Sequence, residues 1–173
     1  MKTYKIEDIF RLSINLEEQG KKFYEVAAKE AEEKRIQNLF IYLARAEVKH
    51  AKTFFKLYKI YAKKNATFPA DERFDDFLDT VVRGLLFPDI SEIRDTLSNK
   101  GKKNIINMVK IAMDIETNTI IFYQKIRELV RPLKIKEALN KIIKEEEKHL
   151  VKLKNLRLDL DPIYAGITYG KFF

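Results

Sequence analysis

Two short motifs in opposite halves of this sequence could bind metal ions. Glu47 and His50 stand three residues apart, and Glu146 and His149 repeat that spacing 99 residues later. Residues three apart on a helix share a face, so each motif could direct a carboxylate oxygen and an imidazole nitrogen at one ion. The chain contains only two histidines, and both belong to these motifs.

The same offset of 99 residues relates positions that precede both motifs. It places Glu17 on Glu116 and Tyr24 on Tyr123. A repeat of this kind indicates two copies of one supersecondary unit. Each of the four glutamates interrupts a helical stripe of apolar or small residues, so the sequence predicts that all four carboxylates lie inside the protein.

The four glutamates are expected at one depth of the core, about 15 residues or roughly 22 Å from the turn of each helix pair. Burying four carboxylates is prohibitive unless something neutralises them, and no Lys or Arg occupies the stripes nearby. Two divalent cations would balance the four negative charges. Oxygen and nitrogen ligands without sulfur suit iron or manganese, and zinc less well. A single Glu-x-x-His is common on exposed helices, but six residues repeated by one offset favour a metal site.

Apolar residues at helical spacing predict the elements that position these side chains. The four predicted helices cover residues 6–33, 35–63, 102–131 and 133–158. Short polar turns join the first pair and the second pair, so each pair should form an antiparallel hairpin. The sequence therefore predicts an all-α, four-helix bundle in one domain, residues 1–173.

A long crossover, residues 65–101, is expected to connect the two hairpins. It should contain short helices near residues 74–86 and 90–97. The tail, residues 161–173, is rich in aromatic residues and is expected to pack on the bundle or on a neighbouring subunit.

Composition and charge exclude several classes of function. The sequence has no cysteine, which leaves no disulfide, iron–sulfur cluster or thiol chemistry in these residues. It has neither an apolar run long enough to span a membrane nor the apolar core of a signal peptide, so we expect a cytoplasmic protein. The net charge of +8 could suit nucleic acid, but the lysines alternate with glutamates as on solvated helices, which makes nucleic-acid binding the less favoured interpretation.

The sequence resembles the rubrerythrin branch of the ferritin-like di-iron carboxylate superfamily. The similar segments are LEEQGKKFY at residues 16–24 and AEVKHAK at residues 46–52. Two glutamates with two Glu-x-x-His motifs on four helices are typical of ferritin-like di-iron bundles. The resemblance implies two iron ions, with terminal ligands Glu17 and Glu116, bridging ligands Glu47 and Glu146, and one histidine for each metal, His50 and His149.

The resemblance also implies an activity, the reduction of hydrogen peroxide or dioxygen at the di-iron site. Tyr24 and Tyr123 could hydrogen-bond a ligand or take part in electron transfer, or they could be packed core residues. Rubrerythrins proper carry a Cys-rich, rubredoxin-like domain; this sequence has no Cys, so an external electron-donor protein such as a rubredoxin is expected. A homo-oligomer is also expected, with a dimer favoured.

The sequence departs from the rubrerythrin pattern at one further position. Rubrerythrins have an additional glutamate three residues after the third-helix ligand, where this chain has Thr119, and the repeat places Gly20 at the matching position of the first helix. Both residues are small, so they are expected to leave room for the oxidant. The remaining six ligands resemble the bacterioferritin site equally well. Ferritin-type iron storage is therefore an alternative function, and a helical scaffold that binds nucleic acid is a remote one.

Overall fold

A computed structural model describes residues 2–70, 72–82 and 102–169. Two long helices come first, α1 (Ile6–Glu30) and α2 (Lys34–Tyr61). The short helix α3 (Glu72–Val82) follows, and then the long helices α4 (Lys102–Leu129) and α5 (Leu133–Leu160). The last helix is α6 (Pro162–Tyr169).

The four long helices pack as two hairpins, with α1 along α2 and α4 along α5. Helix α1 ends at Glu30, three residues before the expected end, because the backbone of Ala31 and Glu33 is extended and the chain reverses there. The second reversal falls at Pro132, which precedes α5 in an extended conformation, since proline cannot continue the preceding helix. The predicted all-α bundle of two helix hairpins is confirmed.

Large aromatic side chains fill the bundle interior at positions that the repeat relates. Phe23 and Phe122 are fully buried, and each packs against the tyrosine that follows it, with ring centroids 5.4 and 5.3 Å apart. Phe54 of the first hairpin reaches Tyr123 of the second at 4.9 Å. The two repeated halves therefore bury one continuous core between them.

A two-stranded antiparallel sheet, which the sequence patterns did not predict, joins the N-terminus to the crossover. Strand β1 (Lys2–Lys5) pairs with β2 (Thr67–Ala70). A 3₁₀ turn (Ala62–Lys64) and Asn65, in the left-handed conformation at φ 45°, redirect the chain between α2 and β2. Tyr4 lies opposite Phe68, and both rings contact Phe74 of α3 at 5.3 and 5.8 Å.

The crossover and the tail are described in part. Helix α3 overlaps the first expected crossover helix, near residues 74–86, and begins two residues earlier. The second, near residues 90–97, lies outside the described residues. The tail continues as α6, where the ring of Tyr164 lies 3.9 Å below the Arg157 guanidinium of α5. None of the helices in the described ranges is long and apolar enough to cross a membrane.

The small sheet should contribute measurably to stability through Phe68, which is 1% exposed. Phe68→Ala removes a buried aromatic ring, so we expect a loss of about 3–5 kcal/mol in the free energy of unfolding, or roughly 10 °C in Tm. Thr67→Ala, at an exposed position of the same strand, is the control and should change Tm by about 1 °C or less. Equal effects of both variants in thermal unfolding would contradict a packing role for the sheet.

Candidate metal centre

The structure brings six predicted ligand residues together at the centre of the bundle. Each long helix supplies a glutamate, and α2 and α5 each add a histidine one turn later. None of the six residues is more than 4% exposed: Glu17, Glu47, His50, Glu116, Glu146 and His149. The helical stripes read from the sequence therefore point to one common place.

Two overlapping groups of these residues could each hold a cation. The first consists of Glu17, Glu47, His50 and Glu146, and the second of Glu116, Glu146 and His149. Within each group the candidate ligand atoms all lie within 4.8 Å of one another. Glu146 belongs to both groups, whereas Glu47 belongs to the first alone.

Both histidines direct the Nδ1 atom into the centre. Nδ1 of His50 lies 2.9 Å from Oε1 of Glu146 and 3.4 Å from Oε2 of Glu17. Nδ1 of His149 lies 2.8 Å from Oε2 of Glu146 and 3.5 Å from Oε1 of Glu116. The two oxygens of Glu146 thus face different imidazoles, so this carboxylate lies between the two groups.

Two buried tyrosines bind glutamates of the opposite hairpin. The hydroxyl of Tyr24 on α1 donates a hydrogen bond of 2.7 Å to Glu116 on α4. The hydroxyl of Tyr123 on α4 donates in turn to Glu17 on α1. Neither tyrosine is exposed to solvent. Each therefore fixes the carboxylate of a glutamate that the sequence resemblance assigns as a terminal ligand.

The buried carboxylates perturb one another strongly in the metal-free protein. Burial raises the pKa of Glu116 to about 8, with a further contribution from the charge of Glu146. Burial also raises the pKa of Glu47 well above its ordinary value, reinforced by the neighbouring charge of Glu17. These shifts indicate that the protein alone stabilises the negative charges of Glu116 and Glu47 incompletely.

The imidazoles supply part of the missing positive charge. Burial by itself would raise the pKa of Glu146, but its close contacts with His149 and His50 outweigh burial and lower that pKa to about 2. Burial by itself would lower the pKa of His149, but its contacts with Glu116 and Glu146 raise it to about 9. The pKa of His50 is raised in the same way, chiefly by Glu146.

The donor set suits divalent cations. Three buried atoms at the centre, Oε2 of Glu17, Oε1 of Glu146 and Nδ1 of His50, have no hydrogen-bond partner. Throughout the described ranges, the ion pairs of the four glutamates are with histidines alone. Unpaired oxygen and nitrogen donors that converge without lysine or arginine are what a carboxylate-rich metal site requires.

The space beside Gly20 is already occupied. A Cβ atom at this position would lie 3.3 Å from Cδ of Glu47, so the absence of a side chain admits the Glu47 carboxylate rather than an oxidant. Thr119, the repeat counterpart of Gly20, is buried one turn beyond Glu116.

Two further residues contact the histidines and were not identified from the sequence. Nε2 of His50, the nitrogen that faces outward, lies 2.9 Å from Oε2 of Glu145. The ring of Tyr42 meets His149 edge to face at 5.5 Å. Neither residue has a counterpart in the repeat, which places Ala46 on Glu145 and Lys141 on Tyr42. The one available signal was an acidic residue directly before the ligand motif of α5.

Comparisons with known proteins agree with this geometry. The family model of rubrerythrin matches residues 8–157. A crystal structure described as a ferritin-like diiron-carboxylate protein from Thermotoga maritima superposes with a TM-score of 0.69 at 26% sequence identity, over 91% of this chain and 97% of that one. No curated protein matches the sequence. The resemblance read from the sequence is confirmed, and the chain belongs to the rubrerythrin family.

Proposed function

We propose that this protein is a non-haem di-iron oxidoreductase that reduces hydrogen peroxide or dioxygen, in defence against oxidative stress or in iron oxidation. The observation that supports the proposal most directly is the convergence of four buried carboxylates and two imidazoles. Such a cluster is unfavourable in an apolar core unless cations neutralise it. Iron is the proposed metal because the donors are oxygen and nitrogen; manganese and zinc are alternatives.

The proposed ligand roles follow the two groups. Glu17 with His50 would hold one metal, and Glu116 with His149 would hold the other. Glu146 is proposed as a bridge because its two oxygens face different imidazoles. Glu47 is the second proposed bridge, in agreement with the family resemblance, although its oxygens group with the first position alone in this structure.

A pair of iron ions at this place would supply the two electrons that reduce an O–O bond. The tyrosines hold their glutamates through hydrogen bonds from the opposite hairpin. The surrounding aromatic side chains, such as Phe54 and Phe122, exclude bulk water. The oxidant is proposed to arrive between α2 and α5, where an opening lined by Thr53, Ala138 and Glu145 among others reaches His50.

Reducing equivalents are proposed to come from a separate redox protein such as a rubredoxin, since the sequence has no cysteine for an iron–sulfur centre of its own. We further propose a dimer in the cytoplasm. The electron donor and the dimer rest on the family resemblance and not on contacts within the chain.

Ferritin-type iron storage is the alternative function. Thr119 stands where a rubrerythrin would have its additional glutamate, so the six proposed ligands also fit a ferritin-type centre. Storage requires a hollow shell of many chains around a mineral, whereas reduction of peroxide does not. Particle mass in solution separates a shell from a dimer.

Removal of the two proposed bridges tests the metal site. An anaerobic Fe(II) titration of the metal-stripped parent protein should show two equivalents bound per chain. The Glu47→Ala/Glu146→Ala variant should bind no iron with an affinity comparable to that of the parent. Glu147→Ala, at an exposed neighbouring position, is the matched control and should bind two equivalents. Failure of the parent to bind iron tightly would refute the proposed function.

The tyrosine hydroxyls should affect turnover more than iron binding. Tyr24→Phe and Tyr123→Phe each remove one hydrogen bond to a proposed terminal ligand, so we expect two equivalents of iron to bind and peroxide-dependent oxidation of the iron to slow about 10-fold. Tyr61→Phe, a buried tyrosine of α2, is the control. Stopped-flow rates equal to those of the control would show that the hydroxyls only fill space.

Metal should also change how stability depends on pH. The pKa of Glu116 is raised from 4.5 to about 8 and that of His149 from 6.5 to about 9, so both groups stabilise the metal-free fold at low pH and lose that contribution as pH rises through these values. The lowered pKa of Glu146 affects the free energy of unfolding only below pH 4.5. It therefore does not offset the loss of stability that Glu116 and His149 cause at higher pH.

We therefore expect the Tm of the metal-stripped protein to fall by about 5 °C or more between pH values of about 5.5 and 8.5. The affinity for metal rises over the same range because its ligands lose their protons. The difference in Tm between loaded and stripped protein should accordingly widen with pH in calorimetry. A constant difference would mean that metal does not replace these protons.

A further inference from the structure

We propose that the two metal positions are unequal, with the His50 position binding its ion more tightly, and that Glu145 is the positioning residue that holds His50 for it. The inference rests on the proposed function, because it concerns the order of binding within that site. The repeat of 99 residues would make the two metal positions equivalent, and the inference follows from the differences that the structure shows between them.

The first difference lies in the groups that face each position. The group that contains His50 has four members, because Glu17, Glu47 and Glu146 join the histidine. The group that contains His149 has only three. The carboxylate of Glu47 occupies the space that a side chain at Gly20 would fill. With Glu47 grouped at the first position, as it is in this structure, the His50 position therefore offers one more ligand residue than the His149 position.

The second difference lies behind the histidines. His50 uses Nδ1 toward the centre, so its Nε2–H donates outward to Glu145 at 2.9 Å. A carboxylate behind a ligand histidine fixes the ring orientation and increases the electron density on the ligating nitrogen. Glu145 is itself half exposed, but the ring that it orients is 2% exposed.

His149 lacks this support in the described residues. The repeat counterpart of Glu145 is Ala46, which has no polar group to offer. The ring of Tyr42 packs perpendicular to the His149 imidazole instead, and Lys152 lies over the Tyr42 ring at 5.4 Å. Within the described residues, the ion pairs of His149 are made by Nδ1 alone, so no carboxylate supports its outward nitrogen.

The unequal surroundings predict an order of release. With both positions loaded, a competing chelator should remove the ion at His149 first and the ion at His50 last. The two histidines are about equally buried, at 2% and 1% exposed, so a difference in retention would not reflect burial.

Zn(II) provides a diamagnetic probe of this order. Protein loaded with two equivalents is titrated with a chelator, and the two imidazoles are followed by nitrogen-detected NMR; the chain has only two histidines, so the signals do not overlap with others. We expect the His149 signals to return to their metal-free positions at a chelator concentration about 10-fold or more below that needed for His50.

Three variants locate the cause. Glu145→Ala should weaken zinc at His50 by about 10–100-fold and leave His149 within about 2-fold of the parent. Glu145→Gln retains an acceptor oxygen and should recover at least about 3-fold of that loss, a rescue that a general packing effect would not give. Glu137→Gln, which lines the same opening, is the control and should bind as the parent does.

Several outcomes would overturn the inference. These are simultaneous release from both histidines, release from His50 first, an unchanged His50 affinity in Glu145→Ala, or no recovery in Glu145→Gln. In each case two bound equivalents would leave the proposed function standing. A parent protein that cannot be loaded with zinc or iron would refute both.

Discussion

Electrostatic repulsion among the glutamates at the middle of the bundle is the constraint on which the rest of the structure depends. A carboxylate removed from water is destabilised by several kcal/mol unless opposite charge or hydrogen bonds compensate, and four of them are brought to one level here. The compensation within the chain comes from two imidazoles and two tyrosine hydroxyls. The aromatic layers and both hairpins serve to hold these few polar groups within reach of one another.

Compensation by the protein alone is uneven. Glu146 receives both imidazoles, and its pKa is lowered to about 2, whereas the pKa of Glu116 is raised to about 8 because burial and the charge on Glu146 act on it together. The metal-free centre thus keeps some carboxyls protonated at neutral pH. Divalent cations would replace both the shared protons and the positive charge on the imidazoles, so metal loading and protonation compete for the same oxygens.

The sequence predicted the parts that depend on long periodic patterns. The offset of 99 residues predicted that Glu17, Glu47, Glu116 and Glu146 are buried, because each of four helices carries one charged residue within an apolar stripe. The packing of α1 on α2 and of α4 on α5 also followed, since short polar turns force consecutive helices to run antiparallel.

Features that are short, or that occur in only one half of the repeat, could not be predicted from these patterns. Strands of four residues give no usable period, and Pro69 argues against a strand although β2 contains it. Glu145 could not be distinguished from the other charges on the exposed face of α5, because its partner lies on another helix. A contact between distant helices has no local signal, and a comparison of repeats discards any residue that occurs in one half only.

The reciprocal bonds of Tyr24 and Tyr123 bear on the alignment of the two hairpins. Each tyrosine reaches across to the glutamate of the other half, so the pair links α1 and α4 in both directions. Apolar stripes with similar spacing could pack nearly as well after one hairpin slid along the other by a helical turn of about 5.4 Å. Such a slip would break both bonds at once and leave the carboxylates facing hydrocarbon. The polar centre therefore fixes the register of one hairpin against the other. The residues proposed to hold the metals also select the one lengthwise alignment in which they meet.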